Sequence, residues 1–334
     1  HTDLAAPLFQ EFSLSIHYDL QVMRPGQSLS GVCSRILERI DEILIEEAPD
    51  CVLVQGDTTS ALAGALGAFH RGIPVGHIEA GLRSGDAKSP FPEEMNRRLI
   101  SQMADLHFAS TERNRRVLLE EGIKEETVYV TGNPVLDSVL QIVGREGMSE
   151  ELEDLLAKTE GSRRLVVTAH RRENFAGAMS GYFAVLKGFL EANEDVSMIF
   201  PVHPNPNVRR ISQEVFGGVP NAHLVEPMIY PDFIRLLSHA WLIVSDSGGV
   251  QEEAPTLETP LLVIRENTER PEAIACGAAK LIGESPETLR EHLEEIARTG
   301  GWAASMKGMA NPFGRGDSRI RIVDAIGQQL RQLP

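Results

Sequence analysis

Residues 241–273 read WLIVSDSGGVQEEAPTLETPLLVIRENTERPEA. The apolar run Trp241-Leu242-Ile243-Val244 reads as a buried strand, and Leu261–Ile264 reads as another. Between them the chain turns through Asp246-Ser247-Gly248-Gly249 into a helix-forming segment. A strand that feeds a glycine turn and a helix N-terminus presents free backbone N–H groups and about half a positive charge, which suits an anion. Two glycines let a diphosphate come close to the backbone. Glu253 lies one turn into the helix, where a carboxylate can hold paired hydroxyls such as those of a ribose. Arg270 follows in an ERPEA segment. The stretch therefore points to a parallel α/β fold with a nucleoside diphosphate at a strand end.

The same alternation extends in both directions. Strands are expected at Cys51–Gln55, Pro74–Ile78, Leu106–Ala109 and Thr127–Val130, and again at Leu165–Thr168, Ser197–Val202, His223–Val225, Trp241–Ser245 and Leu261–Ile264. Helical spacing lies between them, as in Leu29–Ile45, where Ile36, Ile40, Ile43 and Leu44 share a face and Ser28 is placed to cap. Repeated strand–helix–strand units imply parallel sheets covered on both faces. A polar, strand-free stretch from Gly144 to Arg164 separates two halves. The expected domains are residues 1–150, joined by a final helix over 318–330, and residues 151–317. The chain opens on a pattern that reads as a helix, with Leu4, Ala5, Leu8 and Phe12 on one side. A doubly wound domain starts with a strand and a glycine turn, so that element is expected ahead of His1.

Composition narrows the function. A formal net charge of −16 over 334 residues argues against a nucleic-acid partner, because a phosphate backbone calls for a basic surface. No apolar run reaches the roughly 18 residues that span a bilayer, and no signal peptide is visible, so the expectation is a cytoplasmic protein without a membrane partner. Cys33, Cys51 and Cys276 lack metal-ligand spacing and read as buried free thiols. Cationic groups concentrate at Arg97-Arg98, His170-Arg171-Arg172 and Arg270, where a small anionic substrate could be held.

Ligands of open parallel sheets bind beyond the carboxyl ends of the strands. Those ends carry Gly56-Asp57-Thr58, Glu79-Ala80-Gly81, His170-Arg171, His203-Pro204-Asn205 and the Ser-Gly-Gly turn, which predicts a charged cleft between two domains. Each residue also has a plainer reading. Asp57 could cap the next helix, and Glu79 could be a solvated turn acid. Glu93-Glu94 and Arg97-Arg98 stand three and four residues apart, so surface pairing would explain them. His170 and His203 could be satisfied loop histidines, while His77, His107 and His239 read as structural. His77-x-Glu79 is too short a spacing for a metal site.

The ordered motifs QGDTTS (Gln55–Ser60), GHIEAGLRSGD (Gly76–Asp86), PFPEEMNRR (Pro90–Arg98), TGNPVLD (Thr131–Asp137), AHRREN (Ala169–Asn174), VHPNPNVR (Val202–Arg209), SDSGGVQEEAP and NTERPEA (Asn267–Ala273) resemble the non-hydrolysing UDP-N-acetylglucosamine 2-epimerases. The resemblance spans nearly the whole chain. It implies two Rossmann-like domains of GT-B type, a homodimer, and C2 epimerisation to UDP-N-acetylmannosamine through loss and return of UDP, with no metal or other cofactor. It further implies Asp57, Glu79 and Glu93 as acid–base carboxylates and Arg97 as the arginine that positions a neighbouring carboxylate. His170, Ser247, Gly248, Gly249 and Arg270 would hold the diphosphate, Glu253 the ribose, and Phe233 with the Met228 backbone the uracil. Arg171 and His203 match a site at which some members bind a second UDP-N-acetylglucosamine as activator; other positions of that site differ near Asp3 and Gly26. The family's opening Gly-Thr-Arg-Pro-Glu motif has no counterpart after His1. A GT-B glycosyltransferase, a hydrolysing epimerase and a catalytically silent UDP-sugar-binding protein are the competing readings.

Overall fold

In the computed structural model, residues 8, 9, 11–169, 178–283 and 285–331 are described. The chain forms two units, Ile16–Asp137 with Phe313–Pro334, and Ser138–Pro312 with His1–Ser15. Each is built around a parallel sheet.

The first unit carries β1 (Val52–Gln55), β2 (Val75–Ala80), β3 (Leu106–Ala109) and β4 (Val128–Val130), in the spatial order β1-β2-β3-β4. Parallel neighbours need a crossover, supplied here by α2 (Thr59–His70), α3 (Glu93–Met103) and α4 (Glu112–Glu120). The preceding helix α1 (Leu29–Glu47) is capped by Ser28, whose hydroxyl accepts from Gly31 N–H, and buries Val32, Ile36 and Leu44. Helices α1 and α2 approach so closely at Gly67 that a Cβ there would lie 2.9 Å from Ile40. Every residue of β3 is buried. One face of β3 packs Leu106 and Phe108 against Ile322 and Ala325 of the last helix, Ser318–Leu330. Asp137 fastens the start of that helix, accepting the Ser318 and Arg319 N–H groups at 3.1 and 3.3 Å.

The second unit begins inside α5 (Val135–Val143), followed by α6 (Glu150–Lys158). Its strands are β5 (Arg163–Thr168), β6 (Val196–Pro201), β7 (Ala222–Val225), β8 (Leu242–Ser245), β9 (Leu261–Val263) and β10 (Ala279–Leu281). Their order is β10-β9-β8-β5-β6-β7. The chain winds outward from β5 to β7, then crosses back to lay β8 on the other side of β5. The β5/β8 junction is thus the topological switch point, where a doubly wound sheet opens a ligand crevice. Helices α7 (Ala178–Ala192), α8 (Pro206–Phe216), α9 (Tyr230–Ser238), α10 (Gly248–Thr256), α11 (Pro271–Ala275) and α12 (Pro286–Thr299) cover the sheet, and α13 is the Ser318–Leu330 helix. The core centres on Leu165, Val167, Phe183, Phe200 and Phe216, with Phe183 edge-on to both other rings.

Strand β10 was not expected from sequence: it is three residues long and contains Lys280, so no apolar run announces it. The three cysteines are free, as anticipated, but each is partly exposed rather than buried. No described helix is long and apolar enough to cross a membrane.

Candidate active site

At the switch point, Thr168 and Ser245 close the carboxyl ends of β5 and β8 with a 2.6 Å hydroxyl–hydroxyl bond. Ser247 N–H then donates to Ser245 Oγ at 2.9 Å, which bends the chain into α10. Ser247 occupies the cap position without a side-chain capping bond, and α10 starts at Gly248. Its hydroxyl and the first helical N–H groups are the donors that this turn offers an anion. Gly248 is required by packing: a Cβ there would sit 2.7 Å from Arg270 Nη1. Gly249 is exposed, and a Cβ there would meet nothing closer than 3.8 Å.

Arg270 is held against this turn by carboxylates. It donates through Nε to Glu252 and through Nη1 to Glu269 at 2.9 Å, while Arg265 also donates to Glu269, at 2.8 Å. Burial pushes Glu269 upward, but Arg270 and Arg265 outweigh it and hold the carboxyl at about 2. Burial raises Glu252, with Arg270 opposing. The Arg270 backbone is fixed too, its N–H donating to Thr268 Oγ1, which itself donates to Gln251 at 2.6 Å.

Glu253 is buried at 5% exposure and accepts a 2.7 Å bond from the Tyr230 hydroxyl. Burial pushes its carboxyl up to about 7, only partly offset by that bond. Burial and the Glu253 charge likewise raise the Tyr230 phenol. The bond ties the first residue of α9 to α10, so Met228 lies two residues before this junction and Phe233 one turn beyond it, both partly exposed. His203 is exposed just after β6, with Nδ1 accepting Asn205 N–H at 3.2 Å. His170 and Arg171 lie outside the described residues.

In the other unit, β1 ends at Gln55 and the chain turns at Gly56, whose φ of +71° is open to glycine without strain. The next helix, α2, is capped by Thr58, which accepts Ala61 N–H at 3.2 Å, so the capping role considered for Asp57 falls to its neighbour. Asp57 Oδ2 instead accepts Arg97 Nε at 2.8 Å and lies 2.7 Å from Arg97 Nη2. Glu79 interrupts β2: its φ is +67°, and the β2–β3 register shifts between Ile78 and Ala80. Strain of this kind in a non-glycine residue concentrates at working sites. The Glu79 carboxylate lies over Gly56, 3.3 Å from where a Cβ would project. Asp57, Glu79 and Arg97 are therefore brought together.

Helix α3 carries more than surface pairs. Glu94 is fully buried, accepts Ser84 N–H at 2.9 Å, and receives Arg97 at 3.2 Å and Arg98 at 3.1 Å. Burial raises its pKa, but the Ser84 N–H and both arginines win and lower it. Arg97 is buried with it, so the surface account fails for Glu94 and Arg97, while Glu93 and Arg98 stay partly exposed. Glu93 stands in the first turn, partly exposed, four residues before Arg97 and hence on its face. Residues not singled out from sequence are Asn96, Tyr230, Glu252 and Glu269, which carried no signal there; Glu94 stood out only by its i,i+3 spacing to Arg97, as half of an expected surface pair. Among the described residues no group of three or more His, Cys, Asp or Glu is placed to hold a metal.

The family model described as UDP-N-acetylglucosamine 2-epimerase matches residues 1–327. A UDP-N-acetylglucosamine 2-epimerase of Salmonella typhimurium is 42% identical over 331 residues, covering 98% of this chain and 88% of that protein. The structure of UDP-GlcNAc 2-epimerase from Neisseria meningitidis bound to UDP-GlcNAc superposes with a TM-score of 0.89 at 38% identity, covering 98% of this chain and 90% of the other. The S. aureus MnaA–UDP structure gives 0.91 at 36% identity over 98% of this chain and 87% of that one.

Proposed function

The chain belongs to the UDP-N-acetylglucosamine 2-epimerase family, with the GT-B-like fold of its structural neighbours, and on that premise we propose that it interconverts UDP-N-acetylglucosamine and UDP-N-acetylmannosamine by eliminating and re-adding UDP. The C2 proton of a UDP-sugar has no adjacent carbonyl to acidify it, so simple deprotonation is too slow. Elimination avoids this. A carboxylate takes the C2 proton, the C1–O bond breaks with its electron pair leaving on UDP, and a C1=C2 double bond forms in 2-acetamidoglucal. An acid then returns a proton to the opposite face of C2 while the UDP oxygen attacks C1.

The observation that carries this reading is the Asp57–Arg97 pair beside Glu79. Two carboxylates at one turn can exchange a proton with C2 and stabilise positive charge developing at C1 and the ring oxygen. Glu93, on the Arg97 face, completes the acid–base set. Arg97 holds Asp57 in position through its Nε and Nη2 contacts. Ser247, Gly248, Gly249 and Arg270 bind the diphosphate and stabilise its departure, with His170 contributing by family resemblance. Glu253 takes the ribose hydroxyls, and Met228 and Phe233 flank the uracil. By the same resemblance the proposal includes a homodimer and a second UDP-N-acetylglucosamine held as activator at Arg171 and His203. Free cysteines fit a reducing compartment, in keeping with a cytoplasmic enzyme.

The test is incubation with UDP-N-acetylglucosamine in D2O, followed by NMR. Deuterium at C2 of both UDP-sugars supports the proposal. Free N-acetylmannosamine would make the enzyme a hydrolase, and absence of turnover would leave a transferase or binding protein.

A further inference from the structure

Both carbonyls of the Gly56–Asp57 turn are held by buried side chains. His77 Nε2 lies 2.9 Å from Gly56 O, and Asn96 Nδ2 donates to Asp57 O at 2.7 Å. His77 is fully buried in β2, two residues before Glu79. Gly56 N–H also returns to β2, donating to Ile78 O at 3.0 Å. The β1–β2 ladder ends here, with Gln55 opposite Ile78, and β2 breaks register immediately afterwards. A glycine at this point does not fix its own peptide direction, so the bonds on either side of Gly56 set it.

The histidine is an expensive way to fill the space. The Gly56 carbonyl can only accept, so Nε2 carries the proton. Nδ1 is buried without a hydrogen-bond partner, which costs stability. Burial lowers the ring to about 4, leaving it neutral. An apolar side chain would avoid the orphaned nitrogen. What imidazole adds is one N–H directed at the Gly56 carbonyl.

We infer that His77 is a positioning residue that, through the Gly56 carbonyl, aims the Asp57 carboxylate at Arg97 and alongside Glu79, and so governs proton transfer at C2 without touching the sugar. The inference rests on the proposed acid–base role of Asp57. The test compares His77→Gln, whose amide reaches about as far as Nε2, with His77→Met, which has a similar shape and no donor. For each, kcat, KM, the melting curve and UDP affinity are measured, with Asp57→Asn alongside. His77→Met should lose about 10- to 100-fold in kcat, the scale of a misplaced catalytic group. Its UDP affinity should hold, and His77→Gln should recover most of the loss. If His77→Met fails to fold, His77→Asn replaces it: its amide is too short to reach Gly56 and must show the same loss. Equal kcat in the donor and non-donor variants, both folded and binding UDP normally, overturns the inference. Full turnover in Asp57→Asn overturns the role on which it rests.

Discussion

If Glu253 receives the ribose hydroxyls, nucleoside binding must be linked to its proton. Its carboxyl is raised from 4.5 to about 7 by burial. The folded value lies above the unfolded one, so the stability this group contributes is full below about pH 4.5 and lost as pH rises through about 7, amounting to roughly 3 kcal/mol. A diol donating two hydrogen bonds to the carboxylate favours the charged form and releases the proton. For a group titrating near 7, the ionised fraction is about 0.1 at pH 6 and about 0.9 at pH 8, so affinity should rise about tenfold across that range. Uridine is the suitable probe, because it keeps the diol and has no phosphate that titrates there. Calorimetry at pH 6, 7 and 8, in two buffers of different ionisation enthalpy, reads affinity and proton release together. Binding should release nearly one proton at pH 6 and almost none at pH 8. Glu253→Gln should abolish the dependence, as should 2′,3′-dideoxyuridine as ligand. Affinity that is flat with pH, or that persists in its pH dependence in Glu253→Gln, refutes the linkage. A fall in affinity with pH would mean that a protonated carboxyl is the binding form.

Further substitutions probe the geometry. Gly248→Ala should weaken UDP binding at least about tenfold by the same calorimetry, since its Cβ would press on a guanidinium that Glu252 and Glu269 keep from swinging away. Gly81→Ala should destabilise its unit by more than about 2 kcal/mol, because a φ of +87° is joined by a Cβ 2.3 Å from the Asn114 carbonyl oxygen. Gly85→Ala has a similar φ of +86° and no contact, and should show a smaller loss of melting temperature. Asp57→Asn should lower turnover by about 100-fold or more while UDP affinity stays level, as for loss of an acid–base group; parallel losses in both would count against it.

Strands such as β3, β6 and β8, buried along nearly their whole length, were legible as plain apolar runs, and the Ser247–Gly249 turn because its glycines follow directly on one of them. Contacts between distant elements were not. Nothing in sequence relates Tyr230 to Glu253 across 23 positions, or Asn96 to Asp57 across 39. Glu93 and Glu94 are both spaced to meet Arg97, and only the rotation of α3 about its axis decides that Glu94 goes inside. His77 was read as structural, which burial alone would support; its significance comes from the carbonyl it faces, a partner 21 residues away.

The docking of the last helix on β3 also orders events during synthesis. Residues 138–312 form a continuous piece of one unit and are complete before Phe313 is added. The unit that carries Asp57 and Arg97 is translated earlier, yet the side of β3 bearing Leu106 and Phe108 lacks the cover of Ile322 and Ala325 until they arrive. Domains fold as units as the chain emerges. Here the first half to be translated is the second to finish, and its exposed strand must be kept from wrong partners through the interval.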